Sequence, residues 1–370
     1  MKGYKPLMLL VAAVLIVSVA FISCKKDEGG TGPGTDPNTD IPANPGGVAP
    51  ATTINNIVPS AAFARTTGNT SRIRINLLGI INPTTGQPMQ FTANQTVFVT
   101  EDTVLKGIKV TAAGGTTVLT ADVVFVVDNS GSMGQEADSV AAKIIAFANY
   151  LQVSGLDVRV GCVGHGYSSD ARIYGALDLT TAANLQTYLS RSSGITRTVG
   201  FTGADSARFA TAASTFGHSG GGENSVVGIF FADSLFSWRS AANRVYVIFT
   251  DEPTQPGGFA YWSTEGLCSR WTAGRGTIHT VFSEDTTFTS WTNLYSERPW
   301  ALSWCTGGTT KFIPSSAAGL DLTTLPVTGA LANSSLVEFV SANPNVAHTV
   351  TITVKVTGAD GKTVFQNITY

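Results

Sequence analysis

Between residue 120 and about residue 332 two hydrophobic periods take turns. Runs in which nearly every position is apolar, VVFVVD (123–128), VRVGCVG (158–164), ARIYGALDL (171–179), RVYVIFTD (244–251) and TIHTVF (277–282), read as short buried strands. Between them, apolar residues recur every three or four positions. Val140, Ile144, Phe147 and Leu151 form one such stripe, and Val226, Val227, Phe230, Phe231 and Leu235 form another within a helix expected from Glu223 to Ser237. AANLQTYLS (182–190), a stretch near 264–271 and one near 319–332 complete the helices, and KFIP (311–314) is a last short strand. Strands without a polar face, alternating with helices, predict a Rossmann-like α/β fold: a doubly wound, mostly parallel sheet covered on both sides.

The flanks follow a different rule. RIRINLLGII (72–81), TVFVTED (96–102), GIKVTA (107–112), HTVTITVKV (348–356) and KTVFQNITY (362–370) are strand-like runs separated by turns such as NPTTGQP and GADGK. With no helix between them, segments 53–119 and 333–370 are expected to pair as one β-sandwich, with the α/β domain of 120–332 inserted between its halves. Two small unrelated β modules are the other arrangement the pattern allows.

Composition narrows the setting. Of the 370 residues 43% are hydrophobic and 13% charged, with 39 glycines and a formal net charge of −2. The charged fraction lies well below the roughly 25% usual for soluble domains. No run of Lys or Arg supplies the footprint that nucleic acid or an anionic surface requires. At the start, Lys2 and Lys5 precede the apolar run PLMLLVAAVLIVSVAFIS, which reads as a secretory signal over 1–23. Its length also matches a marginal membrane span, so an uncleaved anchor is the other reading. Phe21-Ile22-Ser23-Cys24 resembles a bacterial lipobox, and Lys25-Lys26-Asp27-Glu28 resembles a surface-targeting tag. These resemblances imply an exported outer-membrane lipoprotein, lipidated at Cys24 and exposed on the cell surface. Residues 24–52, rich in Gly, Pro, Thr and Asp, are expected to be a flexible tether. Cys162, inside an alternating run, reads as a buried free thiol. Cys268 and Cys305, in an exported chain, are expected to form a disulfide.

The chemistry concentrates where strands end. VVFVV runs into Asp128 and VYVIFT into Asp251, and Ser130 and Ser132 follow Asp128 around a glycine. In open parallel sheets ligands bind beyond the carboxyl ends of the strands. Two carboxylates and two hydroxyls there, with no imidazole or thiol, suit a hard cation such as Mg²⁺, with Mn²⁺ or Ca²⁺ as substitutes. Asp128-Asn129-Ser130-Gly131-Ser132 resembles the DxSxS signature of von Willebrand factor type A (VWA) domains, and Phe249-Thr250-Asp251 resembles their later acidic motif, with Glu252 where glycine is usual. The resemblance spans 120–332. It implies a metal-ion-dependent adhesion site (MIDAS) in which Asp128, Ser130, Ser132 and Asp251 hold the cation directly or through water. The family's second-loop threonine has no clean counterpart. Glu223 is the expected substitute, with Thr202 and Ser219 as alternates, and a first-turn helix acid is the plain reading of Glu223. Glu136 and Asp138 read as a solvated helix face or a neighbouring cation site.

His165, Tyr167, Phe259, Tyr261 and Trp262 lie in loops at the same edge. They are expected either to contact a ligand or to cover the domain's own core. The resulting expectation is a binding module and not an enzyme: an adhesin or receptor whose protein or glycan partner supplies an acidic group to the metal. A structural subunit of a surface assembly is the alternative. A metal-assisted hydrolase with Glu223 as base is a third reading, but the four histidines are scattered and none stands at a telling distance from Ser130 or Ser132.

Overall fold

Along the chain β1 (Ala61–Thr66), β2 (Asn69–Leu77), β3 (Val97–Glu101), β4 (Val104–Leu105) and β5 (Lys109–Ala112) precede the apolar β6 (Thr120–Asp128). Then come α1 (Ala137–Val153), β7 (Asp157–His165), β8 (Ala171–Thr180), α2 (Ala182–Leu189), β9 (Gly203–Ala204), α3 (Ala207–Thr215), β10 (Gly217–His218) and α4 (Ser225–Leu235). The α/β part closes with β11 (Asn243–Thr250), α5 (Thr264–Arg270), β12 (Thr277–Phe282), α6 (Pro299–Thr306), β13 (Thr310–Phe312) and α7 (Pro326–Ala332). β14 (Ser335–Val340), β15 (His348–Val356) and β16 (Ala359–Ile368) finish the chain. This computed structural model describes residues 36–112, 118–135, 137–166, 169–191, 201–283 and 297–370. Met1–Thr39 and Asp40–Tyr370 are separate units, and the second carries every element above. The expected signal segment and Cys24 lie outside the described residues. Among the described residues no helix is long and apolar enough to cross a membrane.

The central sheet runs β10-β8-β7-β6-β11-β12-β13, with β9 beside β8. β7, β6, β11, β12 and β13 are mutually parallel, whereas β8 is antiparallel to β7 and β10 antiparallel to β8. The sheet is therefore mixed at one edge and parallel through its centre. Alternate residues of the central strands feed opposite cores. Val123, Phe125 and Val127 with Val245, Val247 and Phe249 face Val140, Ile144, Phe147 and Leu151 of α1. Val124, Val126, Tyr246 and Ile248 face Val226, Phe230, Phe231, Leu267 and Leu302 on α4, α5 and α6. Burial on both faces explains why these strands lack a polar period.

The flanks make two further four-stranded antiparallel sheets, β1-β2-β14-β5 and β16-β15-β3-β4. Each combines strands from before and after the α/β part. Both supply one shared apolar cluster, with Ile73, Ile75, Val337 and Phe339 from one sheet and Val99, Ile352, Val354 and Phe365 from the other. β1 and β14 are additions to the strands expected from sequence; Ser335–Val340 follows a helical stretch so closely that its own period is too short to stand out.

The expected tether is corrected from Asp40 onward. Asp40 pairs with Arg72 at 2.7 Å and Lys109 at 2.8 Å, and these cations hold its carboxyl well below the usual range, Arg72 foremost. Ile41 is buried, Asn44 Oδ1 accepts from the Gly107 N–H at 3.0 Å, and a Cβ on Gly107 would fall 2.0 Å from the Pro42 carbonyl oxygen. A strap of low apolar content is thus fastened by ion pairs and close backbone packing, which hydrophobic composition does not report.

At the amino end of β6 the buried Asp122 accepts from the Arg239 side chain at 2.7 Å and backbone N–H at 2.8 Å, and Arg239 also reaches Asp157. This cluster anchors the strand that carries Asp128 at its other end. Arg239→Met strands a buried carboxylate and is expected to lower unfolding free energy by about 3 kcal/mol, read from urea denaturation. An unchanged midpoint would show that the cluster carries no stability.

Candidate metal centre

Strand register delivers the acids. β6 lies between β7 and β11, and chain direction through the sheet reverses there, which is the topological switch point of such sheets. Val127 pairs with Phe249, so Asp128 ends its strand beside Thr250 and Asp251 stands one residue further. Asp128 is fully buried and Asp251 nearly so. After Asp128 the chain turns back on the carboxylate: the Ser130 N–H donates to Asp128 Oδ1 at 2.9 Å, while Thr250 Oγ1 donates to Oδ2 at 2.9 Å. Ser130 Oγ and Ser132 Oγ lie 2.8 Å apart, and Ser132 Oγ donates to Asp251 Oδ1 at 3.2 Å. Met133 is buried in the core beneath and pins the loop from below, so Ser132 stays at the exposed mouth. Asp128, Ser130, Ser132 and Asp251 are therefore joined by successive hydrogen bonds, the first through the Ser130 backbone N–H and the others between side-chain oxygens.

The group is electrostatically loaded. Burial pushes the Asp128 carboxyl up to about 6, against the opposing hydrogen bonds from Ser130 and Thr250. Glu223 rises to about 8, first through burial and then through the negative charges of Asp128, Glu252 and Asp251, with a hydrogen bond to the Ser130 side chain acting the other way. Gly166 makes room for this crowding: it has φ +80°, and a Cβ there would lie 2.4 Å from Asp128 Oδ1 and 3.2 Å from Glu223 Cγ.

Glu223 stands against this group, hydrogen-bonded with the Ser130 side chain and within the field of Asp128 and Asp251. Among the described residues no three His, Cys, Asp or Glu side chains form a ready-made metal cage. Glu223 Oε2 also accepts from Gln255 Nε2 at 3.3 Å, and the Gln255 N–H donates to its carbonyl at 2.9 Å. It is not a first-turn acid: α4 starts at Ser225 with Asn224 as its N-cap, which leaves Glu223 one residue outside the helix. Of the alternates, Thr202 accepts from Asn129 Nδ2 at 2.7 Å, one residue removed from Asp128, and Ser219 is exposed beyond β10.

Ser219 also sits in Gly217-His218-Ser219-Gly220-Gly221, a G-x-S-x-G string. In hydrolases that string marks a strand-to-helix elbow with a free histidine nearby. Here it follows a two-residue edge strand. Both nitrogens of His218 are engaged, one by Asn224 Nδ2 at 3.1 Å and the other by the Ser219 carbonyl at 3.2 Å, so His218 is no base for the Ser219 hydroxyl.

The loop residues divide. His165 is a correction: it is buried beneath the centre, its Nε2 3.3 Å from Ser225 Oγ, and burial pushes it down to about 3, so it meets no ligand at the surface. Trp262 stacks on His218 and packs edge-on to Phe216 and Phe230, covering the core. Phe259 and Tyr261 are 47% and 53% exposed. Asp138 is exposed in the first turn of α1, while Tyr167 and Glu136 lie outside the described residues. Cys268 and Cys305 form a disulfide joining α5 to α6, and Cys162 is buried and free.

Two positioning roles were not assigned from the sequence, that of Thr250, named there only as part of the acidic motif, and that of Asn224. Thr250 orients Asp128, and its place directly before the acid was the available signal. Asn224 caps α4 through Val226 N–H at 3.0 Å, and its Nδ2 reaches the carbonyls of Gln255 and Trp262, tying the second loop to the third. Its Asn-Ser-Val-Val context is an N-cap signature.

No family model matches the chain, and no curated protein matches it. Among solved structures, the proximal thread matrix protein 1 (PTMP1) from the mussel byssus, with a zinc-occupied MIDAS motif, is similar at 12% identity and a TM-score of 0.36. The similarity covers 59% of this chain and 47% of that one, so the chain spans about half of that protein's length. At this level the likeness carries no argument, and the reading rests on the geometry. On that geometry, two carboxylates and two hydroxyls without nitrogen or sulfur fit a hard divalent ion.

Both raised carboxyls hold their protons more tightly folded than unfolded, where 3.8 and 4.5 are their ordinary values. Their contribution to stability is therefore complete below about pH 4 and is lost as pH rises through about 6 for Asp128 and about 8 for Glu223. In EDTA, unfolding free energy is expected to fall across that window, on the order of 3 kcal/mol from Asp128 alone. Asp128→Asn should flatten the profile. A metal-free stability that climbs from pH 4 to 7 would contradict this electrostatic account.

Proposed function

We propose that the chain is a VWA-type binding module, its α/β domain inserted in a β-sandwich, that holds a divalent cation at Asp128, Ser130, Ser132 and Asp251. The convergence of these four side chains at the switch point carries the reading. Bound there, the cation would offset the charge of two buried carboxylates and offer remaining coordination positions to water or a visiting group. Ser132 at the mouth leaves that side open, and an acidic group from a protein or glycan partner is the ligand such a site accepts. Mg²⁺ is the expected ion, with Mn²⁺ or Ca²⁺ able to substitute.

The engaged nitrogens of His218 and the burial of His165 leave neither as a base near a serine hydroxyl, which favours binding over hydrolysis. The Cys268–Cys305 disulfide is the kind of bond that persists in an oxidising compartment. It supports the proposal of an exported protein, held to an outer membrane by lipid on Cys24 and exposed at the cell surface. Exposed Phe259 and Tyr261, on the segment that follows Asp251, offer apolar contact area to a partner.

Calorimetric titration of the purified chain with Mg²⁺ should show saturable binding that Asp128→Ala or Asp251→Ala weakens at least tenfold while circular dichroism stays unchanged. Immobilised polyglutamate should retain the protein in Mg²⁺ and release it in EDTA. Equal retention in both buffers would overturn the metal-bridged mechanism. For the anchor, Cys24→Ala is expected to abolish labelling by radioactive palmitate and move the protein out of the membrane fraction; persistent labelling would contradict lipidation at that residue.

A further inference from the structure

Segment 341–347 carries the chain from β14 in one flanking sheet to β15 in the other. Two side chains claim neighbouring carbonyls of this crossover. Arg65 of β1 donates to the Pro344 carbonyl, and His348, the first residue of β15, reaches the Asn343 carbonyl through Nε2 at 2.8 Å. The other ring nitrogen, Nδ1, stands 2.6 Å from Asp102 Oδ2 in the turn between β3 and β4. The Thr349 N–H donates to Asp102 Oδ1 at 2.9 Å, and the Asp102 N–H donates to the Thr349 carbonyl at 2.9 Å. Asp102 and Thr103 have φ of +47° and +74°, a region unfavourable for a β-branched residue, so the turn depends on such contacts.

The partners of the ring fix its charge. A carbonyl oxygen only accepts, and so does an ionised carboxylate, so both nitrogens donate and His348 is an imidazolium. Hydrogen bonds from Thr349, foremost, and from His348 hold the Asp102 carboxyl below its ordinary range, in the ionised form. Tyr370 stacks on the ring with centroids 5.2 Å apart and donates to Glu101 Oε1 at 2.9 Å; that oxygen lies 3.8 Å from His348 Nδ1. Lys106 Nζ pairs with Glu101 Oε2 at 3.0 Å. Two acids, Glu101 and Asp102, thus meet two cations, Lys106 and His348, and the balance is lost when His348 gives up a proton. Burial opposes the charge on His348, but Asp102, the Asn343 carbonyl and Glu101 outweigh it and raise the pKa above its ordinary value.

We propose that His348 is a proton-operated clasp, sharing no residue with the metal centre: protonated, it fastens the crossover between the two flanking sheets to the β3–β4 turn, and on losing a proton it releases the crossover. The proton that remains stays on Nδ1, beside the carboxylate, which is the stronger acceptor. Nε2 then turns a lone pair towards the Asn343 carbonyl oxygen, and that contact becomes repulsive. Asp102 keeps the Thr349 N–H, so the opening is confined to the crossover and leaves β15 paired. The folded ring binds its proton more tightly than the unfolded one. Its contribution to stability is therefore complete below the ordinary value of 6.5 and is lost as pH rises through the folded pKa.

The test follows the full chain by NMR from about pH 5 to about pH 9, across the range in which histidine titrates. It reads the His348 ring nitrogens and the exchange protection of the Ser341 amide, which donates to the Ser71 carbonyl at 2.9 Å where the crossover begins. The Ile352 amide, inside β15, is the control. Local readouts separate the clasp from the pH dependence that Asp128 and Glu223 give to global stability. Both ring nitrogens should be protonated at the acid end, with a midpoint above 6.5. Through that midpoint Nε2 alone should lose its proton, and Ser341 protection should fall about tenfold while Ile352 is unchanged. Asp102→Asn, a residue that tolerates positive φ, should lower the midpoint by removing the facing charge. His348→Gln should remove the pH dependence of Ser341 protection; if that variant does not fold, Asp102→Asn decides alone. A midpoint at or below 6.5, an unprotonated ring nitrogen at the acid end, or Ser341 protection that is constant through the midpoint would each overturn the proposal.

Discussion

The arrangement depends on one register: β6 beside β11, Val127 against Phe249. Side chains in a parallel pair are committed to a face by position, and a slip of one residue would send every second one to the wrong core. Here both faces are buried, and each alternate residue of the two strands already belongs to a distinct packed cluster. The hydrophobic effect therefore holds the pairing, and the pairing sets Asp128 next to Thr250 with Asp251 one step beyond. A polar centre at the edge is thus positioned by apolar residues in the middle.

That positioning works against the local electrostatics. Asp128 is buried, Asp251 is nearly so, and Glu223 and Glu252 add to the field felt there. The hydrogen bonds from Ser130 and Thr250 to Asp128 offset part of this cost but supply no positive charge. Asp122 at the opposite end of the same strand shows the contrast, because it is equally buried yet has Arg239. One end of β6 is a closed ion pair, and the other gathers carboxylates around hydroxyl and backbone donors.

Much of this was legible from residue order. Continuous apolar runs mark strands buried on two faces, and an acid at the end of two such runs marks the ligand edge, so Asp128, Ser130, Ser132 and Asp251 emerged together. Loops were less legible because their residues are placed by partners distant in sequence. Glu223 reads as a helix opener until Asn224 is seen to take the cap, and Gln255, thirty-two residues on, then claims the glutamate's side chain and backbone. His165 looks like a loop residue by its neighbours Gly164 and Gly166, but β7 extends to include it and buries it. The strap after Asp40 has a linker's composition, and only its ion pairs to Arg72 and Lys109 and its packing on Gly107 reveal that it is fixed.

The most direct test of the central claim is the anomalous scattering of crystals grown at neutral pH with Mn²⁺. The account predicts one strong peak in contact with oxygens of Ser130 and Ser132 and within direct or water-bridged reach of Asp128 and Asp251. A peak at another place on the chain, or none at saturating Mn²⁺ with these four side chains ordered, would contradict it.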